Sequence, residues 1–270
     1  MKAAMKNNYS LRTAFFMVSS LFFLWAFLHN INPILIPHLK KACNLSDTKS
    51  ALIDSSVYLG YFIMALPAGW FMHRYGYKNG ILLGLLLYCL GAFLFIPAAS
   101  ARSYVFFLLA LFVMASGATF LETIANPYVA QLGDPQNAAR RLNFAQSFNG
   151  VGAFIAPLIG GKFILSGIEH SSSDFQQMTI KQIEAYLQAE AYTVKTPYLI
   201  IGSIVFIMII CFALAKLPEV VEHYEIKPIS KFSFAVFRFR HFRHAVLTQF
   251  FYVGAQVGVG SFFIRFSKYI

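Results

Sequence analysis

Glu122 stands in the middle of a long apolar stretch, Tyr104 to Val129, that holds no other charge. An ionised side chain at a bilayer centre costs roughly 2.5–3.5 kcal/mol on insertion scales. Chains keep such residues where they face a cavity, find a partner or carry protons. Desolvation favours the neutral form of a carboxyl, so the hold of Glu122 on a proton depends on whether its surroundings are wet. A group that takes a proton from one side of a membrane and releases it on the other can drive a proton-coupled cycle. Sodium coupling calls for a cage of several oxygen ligands, and the sequence shows none.

Other polar residues recur at helical spacing. Asn126 follows Glu122 by one helical turn and shares its face. Gln146 and Asn149 share a face in the next apolar stretch. Asn30 and Pro33 share one near the start of the chain, with His29 beside them. Gln249, Tyr252 and Gln256 form a fourth patch near the end. Amides and phenols both donate and accept hydrogen bonds, which suits a ligand rich in hydroxyls, such as a sugar, better than a lipid. The plainer reading of each amide is a helix-to-helix hydrogen bond. Asp54, followed by Ser55 and Ser56, reads as an interfacial or locally bonded group rather than a coupling one. Nothing points to an enzyme. Cys43, Cys89 and Cys211 lack metal-site spacing, and no cofactor is expected beyond protons as the coupling ion.

The elements that must carry these residues are membrane spans. Hydrophobic residues make up 58% of the 270-residue chain and charged residues 12%, about half the usual soluble share. The chain therefore reads as an integral membrane protein. A net charge of +11 would suggest nucleic acid in a soluble protein. Here basic residues flanking spans explain it, and no hydrophilic segment is large enough for a nucleic-acid reader. Stretches of about 20 apolar residues give seven spans: 12–37, 50–73, 80–99, 104–131, 143–166, 197–217 and 245–266. The first is too long for a signal-peptide core and is expected to stay in the membrane. With the N-terminus cytoplasmic, the inner segments hold roughly twice the Lys and Arg of the outer ones.

Two loops are long. The outer one, 167–196, opens on Ser171-Ser172-Ser173-Asp174 and then shows apolar residues near a helical period, which predicts a short surface helix. The inner one, 218–244, reads as a linker between two halves, with Phe232, Phe234, Phe237 and Phe239 at the membrane interface. The first span ends near Asn32-Pro33, and the fourth contains Asn126-Pro127. The second carries Pro67-Ala68-Gly69, and the fifth Pro157 with Gly160-Gly161. Spans 1–3 and 4–6 thus read as two related triplets of opposite orientation. Residues 1–217 form a six-span bundle on this reading. Residues 218–244 are the linker, and 245–270 are the start of a second bundle in a chain that ends early.

Several segments together resemble one family. They are Leu24-Trp25-Ala26, Asn30-Ile31-Asn32 with Ile34-Leu35-Ile36-Pro37, Leu121-Glu122-Thr123 with Ala125-Asn126-Pro127, Arg141-Leu142-Asn143 with Ala145-Gln146 and Phe148-Asn149, and Tyr252-Val253-Gly254-Ala255-Gln256. The chain resembles the L-fucose permeases, proton symporters of the fucose/glucose/galactose branch of the major facilitator superfamily. The resemblance implies an all-α integral membrane fold of two six-helix bundles, of which this chain would hold the N-terminal bundle plus the first helix of the C-terminal half. It implies a bacterial inner membrane, a hydroxylated sugar substrate such as L-fucose, alternating access, and the missing half of the same carrier as partner. Glu122 becomes the protonatable residue, and Gln146, Asn149 and Asn30 line the sugar cavity. Asn126, Tyr252 and Gln256 are further sugar-site candidates. One departure stands out: the family pattern has an Asp tied to proton coupling where this chain has Pro33. Coupling is then lost or rests on Glu122 alone, with Asp54 the candidate to compensate.

Overall fold

The computed structural model describes residues 2–164, 177–218 and 234–267. They are almost entirely helical: α1 (Lys2–Ala42), α2 (Asp47–Ser100), α3 (Tyr104–Gln131), α4 (Ala138–Phe163), α5 (Ile180–Thr193), α6 (Lys195–Leu214) and α7 (Arg240–Ser267). Short 3₁₀ turns, Pro135–Asn137 and Phe234–Arg238, precede α4 and α7. The chain divides into two compact units, Met1–Val220 and Val221–Ile270.

At about 1.5 Å per residue, the 54 residues of α2 would far exceed the roughly 30 Å of a hydrocarbon core. Gly76 breaks the helix, with φ 82° and ψ 168°, a conformation that costs a residue with a Cβ. The two arms correspond to the expected second and third spans. The merged helix, Leu11–Ala42, Tyr104–Gln131 and the run Ile180–Leu214 are all long and apolar enough to cross a membrane. The helix α4 falls short of that apolar threshold because Arg140, Arg141, Asn143, Gln146, Ser147 and Asn149 interrupt it. The outer face of α6, with Ile200, Ile204, Ile207 and Leu214 exposed, suits lipid contact rather than water.

One boundary differs from the sequence reading. The first span does not stop near Asn32-Pro33; α1 runs through both Pro33 and Pro37 to Ala42. Prolines are tolerated in membrane helices because neighbouring groups re-satisfy the freed carbonyls. The short helix expected in the outer loop is α5, opened by a capping box between Thr179 and Gln182. Residues 171–174 and Phe232 lie outside the described residues, as does most of the expected linker.

In the first unit, α2 packs most extensively on α3, and α1 on α4. Exchanging spans 1–3 with 4–6 turns the α1–α4 pair into the pair made by α3 and the first arm of α2. This is the pairing that two related triplets require. Both contacts are close. A Cβ on Gly60 would lie 3.0 Å from Ala115 Cβ, and one on Gly152 would lie 2.7 Å from the Phe23 carbonyl oxygen. The second arm of α2 lies tighter still on α3: a Cβ on Gly117 would collide with the Tyr88 backbone nitrogen.

Candidate functional site

Glu122 is carried by α3, whose C-terminal end is clamped by one side chain. Arg141 on α4 reaches back to three carbonyl oxygens, of Val129 at 3.2 Å, Ala130 at 2.7 Å and Asp134 at 2.8 Å. It satisfies the orphan carbonyls at a helix C-terminus and fixes α4 against α3. The loop between them turns at Gly133, φ 98°, and Asp134 caps the next turn. Lys78, just past the Gly76 break, does the same for α6, donating to the Ala213 and Ala215 carbonyls at 2.8 Å each.

Glu122 itself is half-buried. Its carboxylate makes no hydrogen bond or ion pair among the described residues, while its carbonyl accepts the Asn126 amide at 2.8 Å. Tyr61, on the first arm of α2, lies close enough to feel the Glu122 charge.

The other expected site residues are placed less uniformly. Asn30 is half-buried and donates to the Ala26 carbonyl of its own helix at 2.7 Å. Gln146 is exposed and Asn149 half-buried on α4. Neither makes a side-chain hydrogen bond among the described residues. No hydrogen bond joins Asn30, Asn126, Gln146 or Asn149 to one another. Tyr252 and Gln256 stand on α7 in the second unit, both exposed within it.

Two polar clusters were not legible in the sequence. In the first, the Asn32 amide of α1 donates to Asp54 Oδ1 of α2 at 2.5 Å. The His29 ring meets Tyr58 and Tyr61 edge-on, with centroids 5.7 and 6.3 Å apart. Asp54 is therefore bonded between helices, not locally. The signal that could have found it is depth: Asn32 and Asp54 lie at matching distances from the loop joining spans 1 and 2. The second cluster ties α5 to the C-terminal end of α1. The Glu190 carboxylate, 2% exposed, sits 2.8 Å from Lys41 Nζ, and the His38 ring lies 2.9 Å from the Glu190 carbonyl oxygen. An open groove between α2 and α5, lined by Arg102, Lys181, Glu184 and Gln188, holds none of the expected site residues.

Comparison with known proteins agrees with this architecture. The Major Facilitator Superfamily pattern matches residues 13–269. The chain is 44% identical over 259 residues to the L-fucose-proton symporter of Escherichia coli K12, covering 94% of this chain and 59% of the relative. It is 43% identical over 246 residues to a glucose/galactose transporter of Brucella abortus biovar 1, covering 91% and 56%. The solved structure of the transporter FucP in its outward conformation superposes with a TM-score of 0.80 at 42% identity, over 96% of this chain and 64% of that one. This chain thus spans under two thirds of the length of these relatives. With the pattern covering nearly every residue, it belongs to the Major Facilitator Superfamily, a family of secondary transporters and not of enzymes.

Proposed function

We propose that this chain is the N-terminal part of a proton-coupled sugar carrier of the bacterial inner membrane, with its N-terminus in the cytoplasm. Residues 1–217 form one bundle, 218–244 the linker, and 245–270 the start of the second bundle. Glu122 binds the coupling proton. Asn30, Asn126, Gln146 and Asn149 meet the sugar from this bundle, and Tyr252 and Gln256 meet it from the seventh span. The observation that carries this reading is Glu122: a carboxylate with no hydrogen bond or ion pair among the described residues, in an otherwise uncharged membrane helix. Its role follows from the cost of keeping it there.

L-fucose is the first candidate substrate, supported by the E. coli relative. The Brucella relative supports a second reading, glucose or galactose, at nearly the same identity. Uptake of labelled L-fucose by the full-length carrier, in cells lacking their own permeases, tests the proposal. Unlabelled D-glucose, D-galactose and N-acetylglucosamine serve as competitors. Fucose uptake that raises external pH supports fucose symport. Competition by glucose or galactose alone moves the substrate to the second reading. Uptake indifferent to a collapsed proton gradient rejects proton coupling.

A further inference from the structure

Asn32 is 3% exposed, and its Oδ1 has no hydrogen-bond partner among the described residues. A buried amide oxygen left unpaired has given up its hydration with nothing in return. Its Nδ2 already donates to Asp54 Oδ1. An ionised carboxylate has only acceptors to offer, so it cannot satisfy Oδ1. A protonated one can: the acid O–H donates to the amide oxygen while the amide N–H donates to the acid carbonyl. We propose that Asp54 is a second proton-binding carboxylate of this protein, closing an acid–amide pair with Asn32 when it is protonated.

The proton sits on Asp54 Oδ2 and is shared with Asn32 Oδ1. On release it passes to water, and the amide oxygen is orphaned again. The titratable groups facing Asp54 are His29 of α1 and Tyr58 of its own helix. From α3, the Glu122 charge acts on Tyr61 rather than on Asp54. Asp54 forms no ion pair among the described residues. Two oxygens do not make the cage a sodium ion needs. The role of Asp54 in coupling rests on the transport reading; its protonation does not.

Infrared difference spectra of this 270-residue chain in lipid bilayers, taken between about pH 5 and 9, test the proposal. The acid carbonyl band reports protonated carboxyls directly. The expected result is a titrating band that is lost in Asp54→Asn and kept in Glu122→Gln. In Asn32→Leu it should persist but move to higher frequency, because the acid has lost its amide partner. That shift is read on a chain that keeps Asp54, so it stands even if Asp54→Asn does not fold. An Asp54→Asn spectrum that keeps every titrating acid band overturns the proposal. So does an unmoved band in Asn32→Leu, or a band that sodium displaces at constant pH, which would mark a cation site. A chain that shows the band, in a carrier that moves no sugar, rejects the transport reading and leaves this one standing.

Discussion

A single residue carries most of the functional argument. Glu122→Gln keeps the size and hydrogen-bonding capacity of the side chain but removes its titratable proton. In the full-length carrier this variant should lose proton-driven accumulation, so that labelled sugar only reaches equal concentrations inside and out. Exchange of internal for external sugar should stay within about twofold of wild type, because exchange needs binding and not net proton movement. The two assays on the same vesicles separate the roles: loss of both would make Glu122 a sugar ligand, and loss of neither would remove it from the mechanism. The depth of Glu122 was readable because one charge in an apolar run is a one-dimensional signal. The Asn32–Asp54 bond was not, because it depends on how two helices are rotated about their axes. Sequence spacing fixes faces within a helix but not which face meets a neighbour.

Between elements, the clearest determinants are close backbone approaches and carbonyl clamps. A Cβ at Gly117 meets the backbone of Tyr88 and Gly84, and backbone cannot yield as a side-chain tip can. Gly117→Ala should therefore destabilise by about 1–3 kcal/mol or more through overpacking. Gly69→Ala, where a Cβ meets nothing within 4 Å, should stay within about 0.5 kcal/mol of wild type. Thermal unfolding of the two variants in the same detergent checks the contrast; equal midpoints would mean that the α2–α3 contact is looser than described. Arg141→Ala should cost about 2–3 kcal/mol, since it strands carbonyls that now share a charged donor. Arg141→Lys should recover only part, because an ammonium lacks the planar fork that reaches three acceptors. Recovery to wild-type stability would show that charge alone is needed there. The third helix runs Tyr104–Gln131, the same bounds that its hydropathy gives, because a clean apolar run ends at a polar loop. α1 runs past the expected bound of its span at residue 37, because membrane helices absorb prolines such as Pro33 and Pro37.

For the whole molecule, the question is what this length of chain can do. Its relatives are longer, with 59% of the E. coli symporter covered. Alternating access arises when two bundles rock about a site at their interface. On the proposed reading, one bundle holds a proton site and half a sugar site, and closing over the sugar needs a second bundle. Expressed alone in permease-deficient cells, the 270-residue chain should give labelled L-fucose uptake no higher than cells with an empty vector, while the full-length carrier accumulates the sugar. Accumulation by the chain alone would overturn this and would require a second copy to act as the missing bundle. Sugar binding without uptake, from a full-length protein that also fails to transport, would favour a membrane sugar sensor instead. The fold class and the order of spans were legible from hydropathy, since the bilayer fixes the length and polarity of every crossing segment. The proposed cycle was not legible, because it would depend on a surface that one bundle presents to another, and spacing along a chain does not describe such a surface.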